Sequence, residues 1–342
     1  MRALVFRGVE AVALEEIPEP EVMEPGDVVV RVDAAGLCGS DLHPYLGREV
    51  GIEIGTVMGH EFTGRVEKVG PGVRRWSVGD RVVAPFTTNC GECRPCRSGL
   101  TSRCIRGQLF GWVEGGRGLH GGQAEKVRVP LADATLVGVP EAIEDDALAL
   151  LAGDILSTAL YGVELAGVRP GEDVAVVGCG PVGLLAVRAA LRAGAGSVSG
   201  VDPVAGRREL AERFGAVALD PLELEGQGGE GVPAGDGRAP EVEGVDAVIE
   251  AVGSPGATRV AATLLRPGGR IAAVGVHTEP HLALSPGALY DGNITYAAGR
   301  CPARRLLPES LKMAVEEADL LGDLISHRLP LEDGADAYRR FA

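Results

Sequence analysis

A chain of 342 residues has room for two domains with separate cores, and 48 acidic residues against 33 basic ones give a formal charge of −15. That balance opposes adhesion to phosphate backbones and anionic lipid, so neither nucleic acid nor a membrane is an expected partner. Seven cysteines, four of them between Cys90 and Cys104, are clustered rather than spread as in a disulfide framework, which points to metal binding in a reducing compartment.

The opening residues, MRALVFRG, lack the apolar core of a signal peptide, and the longest apolar run, Ala175 to Val187, ends at Arg188, short of a bilayer span. A soluble, cytoplasmic protein is expected. Up to about residue 150, the β-like runs ALVF, DVVVRVDAAG, FTGRVEKVG, DRVVAP and QAEKVRVP alternate with Gly and Pro turns and predict a β-rich, barrel-like domain. Two polar stretches interrupt them. GLCGSDLH, Gly36 to His43, brings a thiol, a hydroxyl, a carboxylate and an imidazole together, and MGHEFTG carries His60 beside Glu61. From the residues alone, Cys38 and His60 stand between two readings. They are ligands of a metal site with an exchangeable position, or a buried thiol and a turn histidine satisfied by a carbonyl.

Next comes NCGECRPCRSGLTSRC, which spaces Cys90, Cys93, Cys96 and Cys104 as C-x2-C-x2-C-x7-C, a pattern that lets four thiolates close a tetrahedron around Zn²⁺. Four protein ligands leave no place for water or substrate, so this lobe is expected to be structural. The same spacing suits an iron–sulfur cluster, but the flanking residues offer no redox partner.

From Asp145 the texture changes. A helical stretch runs through Leu165 into DVAVVGCGPVGLLAVRAALRAGA, which reads as a buried strand, a glycine turn and a long helix. SVSGVDP, VDAVIEAVG and GRIAAVGV follow as strands, with helices predicted over RRELAERFG and GATRVAATLLRPGG. Such alternation implies a doubly wound parallel sheet. The acidic, Gly-rich ELEGQGGEGVPAGDGRAPEVEG between Leu222 and Gly244 is expected to be a solvated loop. After NITYAAG, PESLKMAVEEADLLG reads as one more helix, and the chain closes with LEDGADAYRRFA.

In VGCGPVG, Gly178 permits a tight turn, Gly180 admits a pyrophosphate close to the backbone and Gly183 packs helix on strand, with Pro181 and Val182 between them at the helix start. Asp202, nineteen residues beyond Gly183, is placed to accept hydrogen bonds from the adenosine ribose and to repel a 2′-phosphate. NAD is therefore expected over NADP, while Arg207 and Arg208 pull the other way.

GLCGSDLH, GHEFTGRVEKVGPGVRRWSVGDRV, the four-cysteine lobe and VVGCGPVG, in that order and over nearly the whole chain, resemble the zinc-dependent alcohol dehydrogenases of the medium-chain dehydrogenase/reductase family. The resemblance implies an α/β fold with a GroES-like β-rich catalytic domain over 1–150, carrying the structural-zinc lobe at 88–106. A doubly wound Rossmann NAD-binding domain over 151–292 and a C-terminal return to the catalytic domain over 293–342 complete it. A catalytic zinc is implied in the cleft between the domains. Cys38 and His60 match its first two ligands, and Asp154, in LLAGDILSTALYG, is the candidate third. Glu61 matches a carboxylate that exchanges with the water ligand, and Asp41 matches the group that orients the ligating histidine.

Ser40 and His43 match the proton path, which runs through the nicotinamide ribose. Thr158 and Val182 match positions near nicotinamide, and Val274 a backbone contact to its carboxamide. Arg207 matches a basic residue near the adenosine ribose, and Phe86 a wall of the substrate pocket. The implied chemistry is hydride transfer between an alcohol, polyol or other hydroxy compound and NAD, with a small alcohol or aldehyde as substrate and two zinc ions per subunit of a homodimer or homotetramer. Relatives continue past the AYRRF-like helix into a last strand with a basic residue near the pyrophosphate; this chain stops at Ala342, so that contact is not expected within it.

DILSTALYG leans toward the formaldehyde-dehydrogenase-like and secondary-alcohol branches, with threonine dehydrogenase also open. Two other classes stand against these. A non-catalytic nucleotide binder is opposed by the joint presence of Cys38, Ser40, His43, His60 and Asp154, and a nucleic-acid zinc module by the charge of −15.

Overall fold

The computed structural model describes residues 1–225 and 244–342. Most of the acidic stretch expected as a loop lies outside the described residues, and its beginning belongs to a short helix, Pro221–Glu225. Two compact units divide the chain: Met1–Ser157 with Pro302–Ala342, and Thr158–Cys301. Both boundaries fall later than the 150 and 292 expected. Residues 146–153 pack on the strands and the late helix of the first unit, and Thr295–Ala298 is the last strand of the second unit's sheet.

In the first unit, Lys126–Val129, Val28–Ala35, Phe62–Val69, Arg81–Val83 and Val137–Gly138 form, in that order, a five-stranded antiparallel sheet. Val28 and Val30 alternate inward with Val66, Val82, Val127 and Val129 to make one core around Phe62 and Phe110, as a half-buried sheet requires. The hairpin Arg2–Gly8 and Ala11–Glu16 packs Leu4 and Phe6 against Tyr45, Met58 and Tyr338. Tyr338 comes from the C-terminal helix Gly334–Phe341.

The second unit holds six parallel strands in the order Val217–Leu219, Ser197–Val201, Asp173–Val177, Val245–Glu250, Leu265–Ala273 and Thr295–Ala298. Asp173–Val177 is apolar after its first residue because helices cover both faces of such a sheet. Strand order reverses between this strand and Val245–Glu250, and Gly178, at φ +93°, turns the chain at that switch point.

Three predicted helices differ. The one over GATRVAATLLRPGG spans only Pro255–Thr263, capped by Ser254 Oγ accepting from Ala257 N–H at 3.1 Å. Leu265 already pairs with Val245 in the sheet, and Pro267 and Gly268, the latter at φ +80°, cannot continue a helix. The stretch from Asp145 to Leu165 is broken: Asp146–Gly153 and Ile155–Ala166 are separated by Asp154, at φ −135°, ψ −73°. The helix expected from Pro308 begins at Ala303 and ends at Glu316, with Pro308 inside it, because Leu306, Leu307, Leu311 and Ala314 form a buried helical face. Ala318–Gly322 is a separate helix.

By length and composition alone, and against the expectation that apolar runs fall short of a span, Asp146–Ala166 reaches what a membrane span needs, with mean hydropathy 1.5. Half of it is buried inside the protein, the pattern of a core helix.

Candidate functional site

The strand Val28–Ala35 leads into Gly36–Cys38, and the turns Gly39–Asp41 and Leu42–Tyr45 then present Ser40, Asp41 and His43. Asp41 Oδ2 accepts the Cys38 N–H at 3.0 Å, and Oδ1 lies 3.1 Å from His60 Nδ1. The other ring nitrogen of His60 is 3.2 Å from Asp154 Oδ2 and 3.3 Å from Ser40 Oγ. Ser40 Oγ in turn donates to Cys38 Sγ at 3.4 Å. Ligand atoms of Cys38, His60, Glu61 and Asp154 all lie within 4.8 Å of one another. The break in the helix at Asp154 leaves its carboxylate beside His60.

Charge in this cluster is poorly solvated. Burial first, then the Glu61 charge, raises the Cys38 thiol, and burial followed by Asp154 pushes the Glu61 carboxyl up to about 8. Burial acts to lower His60, but Asp41 and Asp154 outweigh it and hold the imidazole well above its ordinary value. Glu61 Oε1 is buried with no hydrogen-bond partner among the described residues. A buried thiol, imidazole and pair of carboxylates, with one oxygen orphaned, is costly unless a cation sits among them. The sulfur, nitrogen and oxygen donors suit zinc.

Phe86, almost fully buried, meets the His60 ring edge-on at 6.5 Å between centroids. His43 Nδ1 is buried with no hydrogen-bond partner among the described residues, and burial pushes its imidazole below the ordinary value.

Two residues that the sequence did not single out complete the cluster. Gln123 Nε2 donates to Gly36 O at 2.8 Å and to Asp41 Oδ2 at 3.3 Å, and its Oε1 accepts from Tyr338 OH at 2.8 Å. A chain of hydrogen bonds thus runs from the C-terminal helix through Gln123 and Asp41 to His60. Tyr338→Phe keeps the ring in its core but leaves Gln123 Oε1 unpaired, a cost of about 1–2 kcal/mol. The expected result is zinc affinity roughly 10-fold weaker by chelator competition; unchanged affinity would show that Asp41 orients His60 without this support.

The four-cysteine lobe gathers separately. Sγ atoms of Cys90, Cys93, Cys96 and Cys104 lie within 4.8 Å of one another, with Cys93 and Cys104 3.8 Å apart. Zinc–sulfur bonds of about 2.3 Å at tetrahedral angles place sulfurs roughly 3.8 Å apart. Main-chain N–H groups of Cys90 and Arg106 point at Cys104 Sγ, at 3.2 and 3.4 Å, and that of Cys93 at Cys90 Sγ, at 3.3 Å. Such donors favour thiolates. Burial opposes ionisation at Cys90, but the N–H groups of Glu92 and Cys93 and the Arg106 side chain bring its thiol down to about 6.

In the second unit, Gly180 caps the helix Pro181–Arg192, which has Pro181 in its first turn, and a Cβ on Gly180 would meet nothing within 4 Å. A Cβ on Gly183 would lie 1.7 Å from Gly178 O, so helix and turn touch through this glycine. Val182 follows Pro181 in that first helical turn, Thr158 lies in the helix Ile155–Ala166, and Val274 N–H donates to Glu250 O at 2.9 Å.

Asp202 is 2% exposed, and its two oxygens accept the N–H groups of Cys179 and Val204, each at 2.9 Å. Arg207 Nη1 approaches Asp202 Oδ2 at 3.6 Å, and Arg208 Nη1 is 2.9 Å from Asp220 Oδ2.

The sequence matches the family models described as alcohol dehydrogenase GroES-like domain, over residues 24–141, and zinc-binding dehydrogenase, over 181–316. A curated relative from Aspergillus flavus, zinc-type alcohol dehydrogenase B, is 41% identical over 350 residues, covering all of this chain and 78% of the relative. The solved alcohol dehydrogenase from Thermus sp. ATN1 superimposes with a TM-score of 0.88 at 36% identity, covering 100% of this chain and 96% of that one. A zinc-binding dehydrogenase from Sinorhizobium meliloti, solved with NADP, superimposes with a TM-score of 0.82 at 28% identity, over 98% and 94% of the two chains.

Proposed function

Because the chain belongs to the zinc-binding alcohol dehydrogenase family, oxidoreductases acting on CH–OH donors, we propose that Cys38, His60 and Asp154 hold a catalytic zinc ion. Glu61 is its exchangeable partner, and the glycine turn after Val177 holds NAD. The observation that carries this reading is the convergence of four ligand atoms of three kinds within 4.8 Å in a buried site. When bound, zinc supplies Lewis-acid polarisation of the alcohol oxygen, and nicotinamide supplies the hydride acceptor.

The remaining work falls to the chain's own groups. Nδ1–H of His60 donates to Asp41, which turns the Nε2 lone pair toward the cluster. The Ser40 hydroxyl lies beside both Cys38 Sγ and His60 Nε2, where it can take a proton from an alcohol held there. Below its ordinary pKa, His43 is neutral near pH 7 and able to receive that proton. Phe86 keeps one side of the cluster apolar and dry.

Gly180 leaves open space at a helix N-terminus, which suits a pyrophosphate. Asp202 supports NAD over NADP, since both nearby arginines already face carboxylates. Asp202→Asn is expected to move the ratio of kcat/KM for NAD over that for NADP toward NADP by roughly 10- to 100-fold, about 1.4–2.8 kcal/mol. An unmoved ratio would remove Asp202 from cofactor selection. The lobe holds a second, structural zinc. The gathering of four of the seven cysteines into a metal-ligand pattern suits a reducing, cytoplasmic compartment.

The test is a panel of primary and secondary alcohols, polyols, formaldehyde and threonine, followed by NADH absorbance beside a metal assay. Turnover with two zinc ions per chain supports the reading. A single zinc and no turnover across the panel would leave only the structural lobe.

A further inference from the structure

We propose that the cavity beside the four-cysteine lobe is a second binding site, separate from catalysis, that takes the phosphate group of a small anion. The cavity measures about 440 Å³ and is lined by Arg75, Arg304 and Arg305 together with Asn89, Thr101 and Asp133. That volume lies within the roughly 300–1,000 Å³ of small-molecule sites. The lobe beside it carries Arg94, Arg97, Arg103 and Arg106 against Glu92 alone, a basic island on a chain of net charge −15.

Two of the guanidinium groups in the lining are held by carbonyls of consecutive residues, Asp133 and Ala134. Arg75 Nη1 donates to Asp133 O at 3.0 Å, and Arg304 Nε donates to Ala134 O at 2.8 Å. Main-chain oxygens therefore position these cations without neutralising them. Burial first, and the Arg75 charge second, push the Arg304 guanidinium below its ordinary value. Asp133, the acid in the lining, accepts the main-chain N–H groups of Arg74 and Arg75, at 2.9 and 3.0 Å for the closer contacts.

Hydrogen-bonding capacity is left over on the same wall. Asn89 Nδ2 and Thr101 Oγ1 are buried with no partner among the described residues, and the residues are 2% and 9% exposed. Asn89 is itself held in place, its N–H donating to Thr135 Oγ1 at 3.1 Å. An orphaned amide N–H₂ and a hydroxyl beside these guanidiniums offer donors to an acceptor-rich anion, and phosphate, with its several oxygens and double charge, satisfies more of them than chloride does.

The experiment uses the zinc-loaded, full-length protein with NAD at saturation, so that the glycine turn is occupied, and titrates inorganic phosphate and glycerol 3-phosphate by calorimetry. Sodium chloride at equal ionic strength is the reference. One saturable site per chain is expected, with roughly 10-fold weaker binding in Arg304→Gln and none in Asn89→Asp, which places a carboxylate on the same frame. Alcohol turnover stays unchanged in both variants, and zinc content stays at the wild-type value in Arg304→Gln, whose residue lies outside the lobe. Tighter binding of glycerol 3-phosphate identifies an esterified metabolite as the occupant, and tighter binding of phosphate the free ion. Heat no greater than the chloride reference, or equal affinity in wild type and both variants, overturns the proposal.

Discussion

Cys38→Ala is expected to abolish alcohol oxidation, by more than about a thousandfold, while NAD still binds. Cys38 supplies the only sulfur of its cluster, and without it one imidazole and two carboxylates would remain for the proposed ion. The loss of Lewis-acid polarisation is worth several kcal/mol, and about 4 kcal/mol is already a factor of a thousand. Local structure is spared, because the bond that shapes the turn runs from the Cys38 main-chain N–H to Asp41 and survives removal of the thiol. The groups proposed for NAD, Gly178 to Gly183 and Asp202, belong to the other unit. Steady-state NADH formation, NAD binding by fluorescence and zinc content check the three parts, and a variant oxidising alcohols at the wild-type rate would overturn the ligand assignment.

Cys96→Ser should fail differently. Its sulfur is buried in the lobe, and the main-chain N–H groups aimed at Cys90 and Cys104 already organise the other sulfurs for a cation. Losing one of four ligands opens the site, so one zinc per chain is expected to be lost. Structural zinc is worth about 10–16 kcal/mol in isolated fingers, and if about 3–5 kcal/mol of that reaches the whole fold, melting falls by roughly 10 °C. At low temperature the variant keeps its alcohol oxidation, because the catalytic cluster shares no residue with the lobe. Full zinc content with unchanged melting would show that the lobe holds itself together without metal.

What was legible in the sequence follows from how far apart the interacting residues lie. Four cysteines within fifteen residues, or three glycines within six, can be read because a short loop leaves few ways to arrange them. Gln123 and Tyr338 could not be read that way. Gln123 looks like the polar start of a strand, and Tyr338 like one aromatic residue on an amphipathic helix; their meeting spans 215 positions and depends on how the sheet and the last helix close. The misread end of the helix after Ser254 has a similar cause. Leu264 and Leu265 continue an apolar helical pattern, and only pairing with Val245 and, further on, of Arg270 with Ala247 draws the segment into a strand. Asp154 was chosen by resemblance; nothing in LLAGDILSTALYG announces that the helix breaks there and leaves the carboxylate beside His60.

The hydrogen-bond chain from Tyr338 to His60 also sets an order of events during synthesis. Cys38, His60 and Asp154 leave the ribosome long before Tyr338, so a nascent chain carries every proposed ligand while the group that steadies Asp41 through Gln123 is still unmade. Full affinity for the proposed ion is therefore expected only once the final helix has been made. A chain ended before Tyr338 is expected to load its cysteine lobe normally and its other site weakly, giving close to one tightly held zinc instead of two when stalled and released products are compared.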